Sequence, residues 1–224
     1  MPCKKPAPSP ADRRKQDILA ILEETYKNSG TALRSQSVFQ LLVAVILSAQ
    51  CNDNQVNRVT GPLFAQYADA AAFAALEPAQ LEPYISSCGL YKNKAKNIVG
   101  AARIIHNEYG GQVPADREKL MALPGVGRKT ANVMLSVGFG LPALAVDTHV
   151  QRVANRLGLA QSKTPEQTEA QLCALIPEEK WGDAHHWLIW HGRKICAAQR
   201  PKCGQCPAAA LCPSALPQKD GGKA

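Results

Sequence analysis

Four cysteines crowd seventeen residues near the C-terminal end, in CAAQRPKCGQCPAAALC. Cys196, Cys203, Cys206 and Cys212 have the spacing C-x6-C-x2-C-x5-C. Thiolates are soft ligands, and four in one stretch can wrap a tetrahedral or a cubic metal centre. Structural zinc sites usually pair two short knuckles or include histidine. Here there is one x2 pair with wide arms and no histidine inside, so by chemistry alone zinc and [4Fe–4S] both suit the donor set. Cys3, Cys51, Cys88 and Cys173 are scattered, and no secretory apolar segment follows the basic, proline-rich start. A metal site therefore explains the crowd better than a disulfide framework.

A second reactive stretch is LPGVGRKTANV, residues 123–133. Two glycines in a short loop give access to positive φ and let a backbone or a ligand come close. Apolar residues before the loop (Leu120, Met121, Leu123) and after it (Val133, Met134, Val137) have helical spacing. That predicts helix, tight hairpin, helix, with the N–H groups of Gly125, Val126 and Gly127 at the second helix's N-terminus. Such a terminus attracts anions, phosphate above all. Lys129 falls in the first turn of that helix, where the positive end of the dipole disfavours an ammonium. A neutral lysine there is a nucleophile. Taken by position alone, it reads rather as a solvent-facing helix residue. Asp147 stands at the N-cap of THVQRVANRL, where a carboxylate can cap the helix, stabilise a developing positive charge and move protons.

The elements that must position these residues read almost entirely as helix. Apolar stripes and caps predict helices over 12–28 and 36–49, from Asn52 or Asp53 towards Tyr67, after Asp69, and from Pro78 towards Cys88. Another starts near Asn93 and stops at Gly110. After the hairpin come an extended LPALAV, a helix closed by Gly158, one opened by Pro165, and a last one over about 183–195. Strand-like alternation is absent, so the fold class is all-α. The basic residues 1–11 read as a disordered tail and 214–224 as a loose one. The formal net charge of +8 is spread evenly over 224 residues; it fits a polyanion partner, and local motifs must carry any nucleic-acid argument. The longest apolar run, Leu41 to Leu47, is too short to cross a bilayer, which makes the cytoplasm the expected compartment.

Taken together, the cysteine spacing, LPGVGRKTA, VDTHVQRVANRLGL, SAQCNDNQVN, GLYKNKAKNI and HHWLIWHGRKIC resemble, in order, the endonuclease III family of DNA glycosylases. The match runs from about residue 15 to Cys212. The resemblance implies a [4Fe–4S] cluster on the four cysteines. It implies two lobes: a six-helix barrel with the helix–hairpin–helix over 31–141, and a cluster lobe formed by 12–30 with 142–213. It implies that Lys129 attacks the sugar, that Asp147 assists, that Gln50 fills the place of a flipped base and that Leu90 wedges the opposite strand. Gly125, Val126 and Gly127 would hold one phosphate; Lys92, Lys94, Lys96, Arg200 and Lys202 would hold others. His149 and the histidines flanking Trp187 and Trp190 are read as structural.

The implied activity is removal of oxidised or ring-damaged pyrimidines followed by cleavage of the abasic strand. The partner would be double-stranded DNA carrying damaged bases or abasic sites, met by a monomer at the nucleoid. Two departures stand out. Cys51 and Asn52 replace the family's usual alanine or threonine, then threonine, before Asp53, which bears on the range of lesions accepted. Ala44 stands where adenine-mismatch relatives place a catalytic glutamate, and those relatives typically lack the lysine. Two rival readings are a non-enzymatic DNA-binding iron–sulfur redox sensor, which needs neither Lys129 nor Asp147, and a glycosylase of the same fold for mismatched or alkylated bases.

Overall fold

A computed structural model describes residues 9–217 of the chain. Helix α1 (Pro10–Tyr26) begins earlier than its apolar stripe predicts, because Ser9 and Asp12 close a capping box. Ser9 Oγ accepts from the Asp12 N–H at 3.1 Å, and the Asp12 carboxylate accepts from the Ser9 N–H at 3.2 Å. Two N–H groups that a helix start leaves unpaired are thereby satisfied. Residues 9–11 of the expected tail are thus the cap and first turn of a helix; residues 1–8 of it, and 218–224 of the C-terminal tail, lie outside the described residues.

Most of the following helices start at a side-chain cap worth about 1 kcal/mol each. Ser37 caps α2 (Val38–Ser48), Asn52 caps α3 (Asp53–Gln66) and Asp69 caps α4 (Ala70–Ala74). Proline opens α5 (Pro78–Ile85), and α6 (Tyr91–Glu108) follows. Asp116 caps α7 (Arg117–Met121), and the hairpin leads into α8 (Arg128–Val133). Asp147 caps α9 (Thr148–Leu157), Thr164 caps α10 (Pro165–Leu175), and α11 (Trp181–Lys194) runs to the cysteine segment. No strand occurs among the described residues, and no helix is long and apolar enough to cross a membrane.

The chain divides into two compact units. One is Thr31–Ala145; the other joins the chain up to Gly30 with the chain from Val146 onward. In the first, α2 is apolar on every side, with Phe39 and the whole of Leu41 to Leu47 buried, so it belongs at the centre. Around it pack Ile98, Val99 and Ile105 of α6, Phe73 of α4, Leu81 and Ile85 of α5, and Ala131 and Val133 of α8. Phe39 and Phe73 meet edge to face at 5.4 Å. The division falls at 145/146 rather than at 141/142, because Ala143 and Ala145 of the extended run bury in this core.

In the second unit, Ile18, Leu22 and Tyr26 of α1 bury on contact with α11, which in turn packs on α9. Polar ties fix the same pairing. Lys180 Nζ meets Glu23 at 2.8 Å, Trp190 Nε1 donates to the Gly30 carbonyl at 3.3 Å, and Arg14 donates to the Leu211 carbonyl at 3.1 Å.

Candidate functional site

The hairpin between α7 and α8 is built as its sequence demands, with one correction. Gly125 has φ +78°, and a Cβ there would sit 2.8 Å from Asn97 Cβ, so this position requires glycine twice over. Gly127 is different. It is the N-cap of α8 with φ −89°, and a Cβ would meet nothing within 4 Å. Positive φ is therefore needed at one glycine only, and the bareness at Gly127 leaves open space in front of the helix start. Val126 is buried, its N–H bonded to the Leu123 carbonyl at 3.1 Å, so it pins the loop and points its amide inward. The expected phosphate grip by that particular N–H is thereby corrected: its donor is already used.

Lys129 is partly buried in the first turn of α8. Three residues on, Asn132 is fully buried and donates from Nδ2 to the Leu144 carbonyl at 2.9 Å. This bond fastens the lysine-bearing helix to the extended run that reaches Asp147 three residues later. Asp147 Oδ1 accepts from the N–H groups of His149 at 2.8 Å and Val150 at 2.9 Å. Its Oδ2 lies 3.6 Å from His149 Nδ1. One oxygen is occupied by the cap, and the other is available for a charge or a proton.

Gln50 and Leu90 come together. Both are exposed and both hold left-handed backbone, φ +53° and φ +60°; Arg200 at φ +50° is the third such non-glycine residue among those described. The turns are adjacent, since a Cβ on Gly89 would lie 3.7 Å from the Gln50 carbonyl. Leu90 is 59% exposed, although it starts α6 against a large apolar core. Left-handed backbone at a leucine costs roughly 1–2 kcal/mol. Such strain clusters at ligand clamps, where the fold over-determines it.

Beneath these turns lies what sequence reading missed. Lys94 is buried, with Nζ donating to the Leu47 carbonyl at 2.9 Å near the C-terminal end of α2. Burial lowers its pKa, opposed by the nearby Cys88 and Cys51. The expectation that Lys94 joins Lys92 and Lys96 in holding phosphate is overturned. Helical geometry carried the signal: 92 and 96 are four apart and share a face, whereas 94 falls on the buried stripe with Ala95, Ile98 and Ala102.

The four clustered cysteines line one cavity of about 160 Å³, together with Arg156, His191, Ala209 and Leu216. Burial is the main cause that raises the Cys206 and Cys212 thiols, and the neighbouring cysteines push the same way. Arg156 Nη1 points at Cys196 Sγ from 3.6 Å, and His191 Nε2 lies 3.6 Å from Cys206 Sγ. Burial takes the His191 pKa down to about 4. Tyr26 OH lies 3.1 Å from His191 Nδ1; if the hydroxyl donates there, the ring proton is on Nε2, facing the sulfur. Four sulfurs in one lining, with N–H groups aimed at two of them and a space wider than one ion needs, fit a [4Fe–4S] group. Ser214, Ala215 and Leu216 of the expected loose tail close the cavity wall. Lys202 is exposed, and with Arg200 it lines an open depression on the outer side of the same loop.

Comparison with known proteins gives the family. Residues 43–178 match the family model of the HhH-GPD superfamily base excision DNA repair proteins. The chain is 48% identical to endonuclease III of Synechocystis sp. over 91% of its own length and 93% of the relative's. Among solved structures it is similar to a trapped endonuclease III–DNA covalent intermediate (TM-score 0.86, 45% identity, 90% of this chain and 96% of that one). A non-covalent endonuclease III–DNA complex aligns with TM-score 0.87 at 43% identity, over 91% of this chain and 96% of that one.

Proposed function

The chain belongs to the endonuclease III family of DNA glycosylases, and we propose that it removes oxidised or ring-damaged pyrimidines from duplex DNA and then cuts the abasic strand. The observation that carries this reading is the pair of adjacent left-handed turns presenting Gln50 and an exposed Leu90. A base inside a duplex hides its glycosidic carbon, so the nucleotide has to be extruded before chemistry. Leu90 enters the opposite strand as a wedge, and Gln50 takes the vacated place with an amide that can both donate and accept. The open space at Gly127 receives a phosphate at the start of α8, and Lys202 with Arg200 approaches another.

The neutral amine of Lys129 attacks the sugar C1′, and the damaged base leaves with a proton. Ring opening gives an iminium between Lys129 and C1′, which acidifies the C2′ hydrogen. Loss of that proton breaks the C3′–O bond, so the phosphate leaves by β-elimination and the strand is cut. Asp147 stabilises the positive charge on the sugar through its uncapped oxygen and relays the protons. Cys196, Cys203, Cys206 and Cys212 would hold the [4Fe–4S] group, whose chemistry there is to cross-link a loop that lacks an apolar core of its own. The protein acts as a monomer in the cytoplasm, on DNA.

The test is covalent capture. Borohydride should trap the wild-type protein on a duplex with an abasic site. Lys129→Gln should give neither adduct nor strand cleavage while still binding the duplex. Trapping by Lys129→Gln would mean that another amine is the nucleophile, and binding without cleavage by the wild type would favour the redox-sensor reading.

A further inference from the structure

The two turns that carry Gln50 and Leu90 are joined underneath by a thiol pair. Cys51 follows Gln50 and is half-buried; Cys88 precedes Gly89 and is fully buried. Each lies close enough to bear on the other's thiol, and neither is in a disulfide. The surrounding contacts hold the same register. The Gly89 Cβ position faces the Gln50 carbonyl at 3.7 Å, and Gln55 Nε2 donates to Ser87 Oγ at 2.6 Å. Each turn is also closed on itself, Cys51 N–H to the Ser48 carbonyl at 3.1 Å and Cys88 N–H to the Ile85 carbonyl at 2.8 Å. The two thiols therefore lie beneath neighbouring tight turns, with the buried Lys94 ammonium close enough to act on both.

We infer that Cys51 and Cys88 form an oxidation site, in which hydrogen peroxide converts the pair to an intramolecular disulfide between the Gln50 and Leu90 turns. Cys51, the half-exposed partner, meets the oxidant first. Its sulfur attacks the peroxide oxygen, the O–O bond breaks, and the thiol proton leaves with the released oxygen as water, giving a sulfenic acid. Cys88 sulfur then attacks Cys51 sulfur; the S–S bond forms, the S–O bond breaks, and the oxygen departs as a second water with the Cys88 proton. Two thiols lose two electrons in all, and one peroxide takes them up. Burial pushes the Cys88 thiol up to about 11, with Cys51 adding to the rise and Lys94 opposing it. Cys88, buried and protonated, is thus the less accessible thiol to oxidant and acts second, on the sulfur of Cys51. Disulfides of reducing compartments are mostly of this transient, redox-sensing kind.

The bond would tie together the two turns that must enter the duplex, and the oxidised protein would lose grip on damaged DNA. That consequence rests on the function proposed above; the bond itself does not. Purified protein with its metal centre in place is treated with a small excess of hydrogen peroxide, alkylated and digested with trypsin without reductant. Mass spectrometry should find the peptides 35–58 and 59–92 joined, two hydrogens lighter than their sum, and separated by dithiothreitol. In Cys88→Ala the Cys51 sulfenic acid should accumulate and react with dimedone. Both thiols alkylated in the wild type, or Cys51 joined to any other cysteine, would overturn the site. Affinity for an abasic-analogue duplex should fall at least tenfold on oxidation and return with reductant, whereas Cys51→Ala should show no response to peroxide. Formation of the bond with unchanged affinity would overturn its control of DNA binding. Failure of the reduced protein to bind any duplex would instead count against the proposed function, and the peptide map would still stand.

Discussion

Leu90 tests what a strained, exposed side chain is for. Its side chain contributes little to the core, so Leu90→Ala should change folding stability by less than about 0.5 kcal/mol, as surface truncations do. Base excision should nevertheless fall about tenfold or more, as for other single residues that carry binding energy at an interface. Thermal melts and single-turnover excision on a lesion duplex check the two halves. The two hairpin glycines make a sharper contrast. At Gly125 a side chain meets both positive φ and Asn97, so Gly125→Ala should destabilise by about 2–3 kcal/mol. Gly127→Val should fold normally and bind undamaged duplex more weakly, with a shallower salt dependence because a phosphate contact is lost. Equal affinity in that variant would mean that the hairpin only packs. The glycine spacing and the Gly-Leu turn made these residues legible in the sequence. Which glycine needs its φ, and that Gln50 and Leu90 share left-handed backbone, depends on the tertiary contact of Gly89 with the Gln50 carbonyl, and no local pattern encodes that contact.

Helices were legible where a cap marks their start. Ser37, Asn52, Asp69, Asp116, Asp147 and Thr164 each accept a hydrogen bond from the first turn they precede. The wider turn that continues α8 over Met134–Gly138 was not legible, because an apolar stripe reads alike for 3.6 and slightly wider periods. The chain passes close to α2 there, with the Gly138 Cβ position 3.3 Å from both Met134 Cε and Val38 Cγ1. Lys94 escaped for a related reason, since its charge type outweighed its place on the α6 stripe. The cap at Asp147 separates two roles of one carboxylate. Asparagine caps a helix about as well as aspartate, so Asp147→Asn should keep stability within about 0.5 kcal/mol. Asp147→Ala should lose about 1 kcal/mol with its two capping bonds. Both variants should turn over abasic DNA at least about a hundredfold more slowly, because neither has an ionised oxygen for the proton relay. Asp147→Asn with wild-type turnover would reduce the residue to a cap.

At the scale of the molecule the two units differ in what holds them. The first has a continuous apolar core from Phe39 to Ala145 centred on α2. The second relies on α1 packing against α11, on polar ties such as Glu23–Lys180, and on a cysteine segment whose inner side is a cavity of about 160 Å³ rather than packed side chains. Purified protein should be yellow-brown and contain about four irons; one zinc and no iron in protein prepared without oxygen would defeat the assignment. Stripping the metal should raise hydrogen exchange in α11 and in residues 196–212, and also in α1, which is tied to that segment through Arg14 and Tyr26. Helices α2 and α6 should remain protected, because their core contains none of the four cysteines. Uniform loss of protection across both units would mean that the metal centre supports the whole chain. No change anywhere would mean that the cysteine segment folds without it.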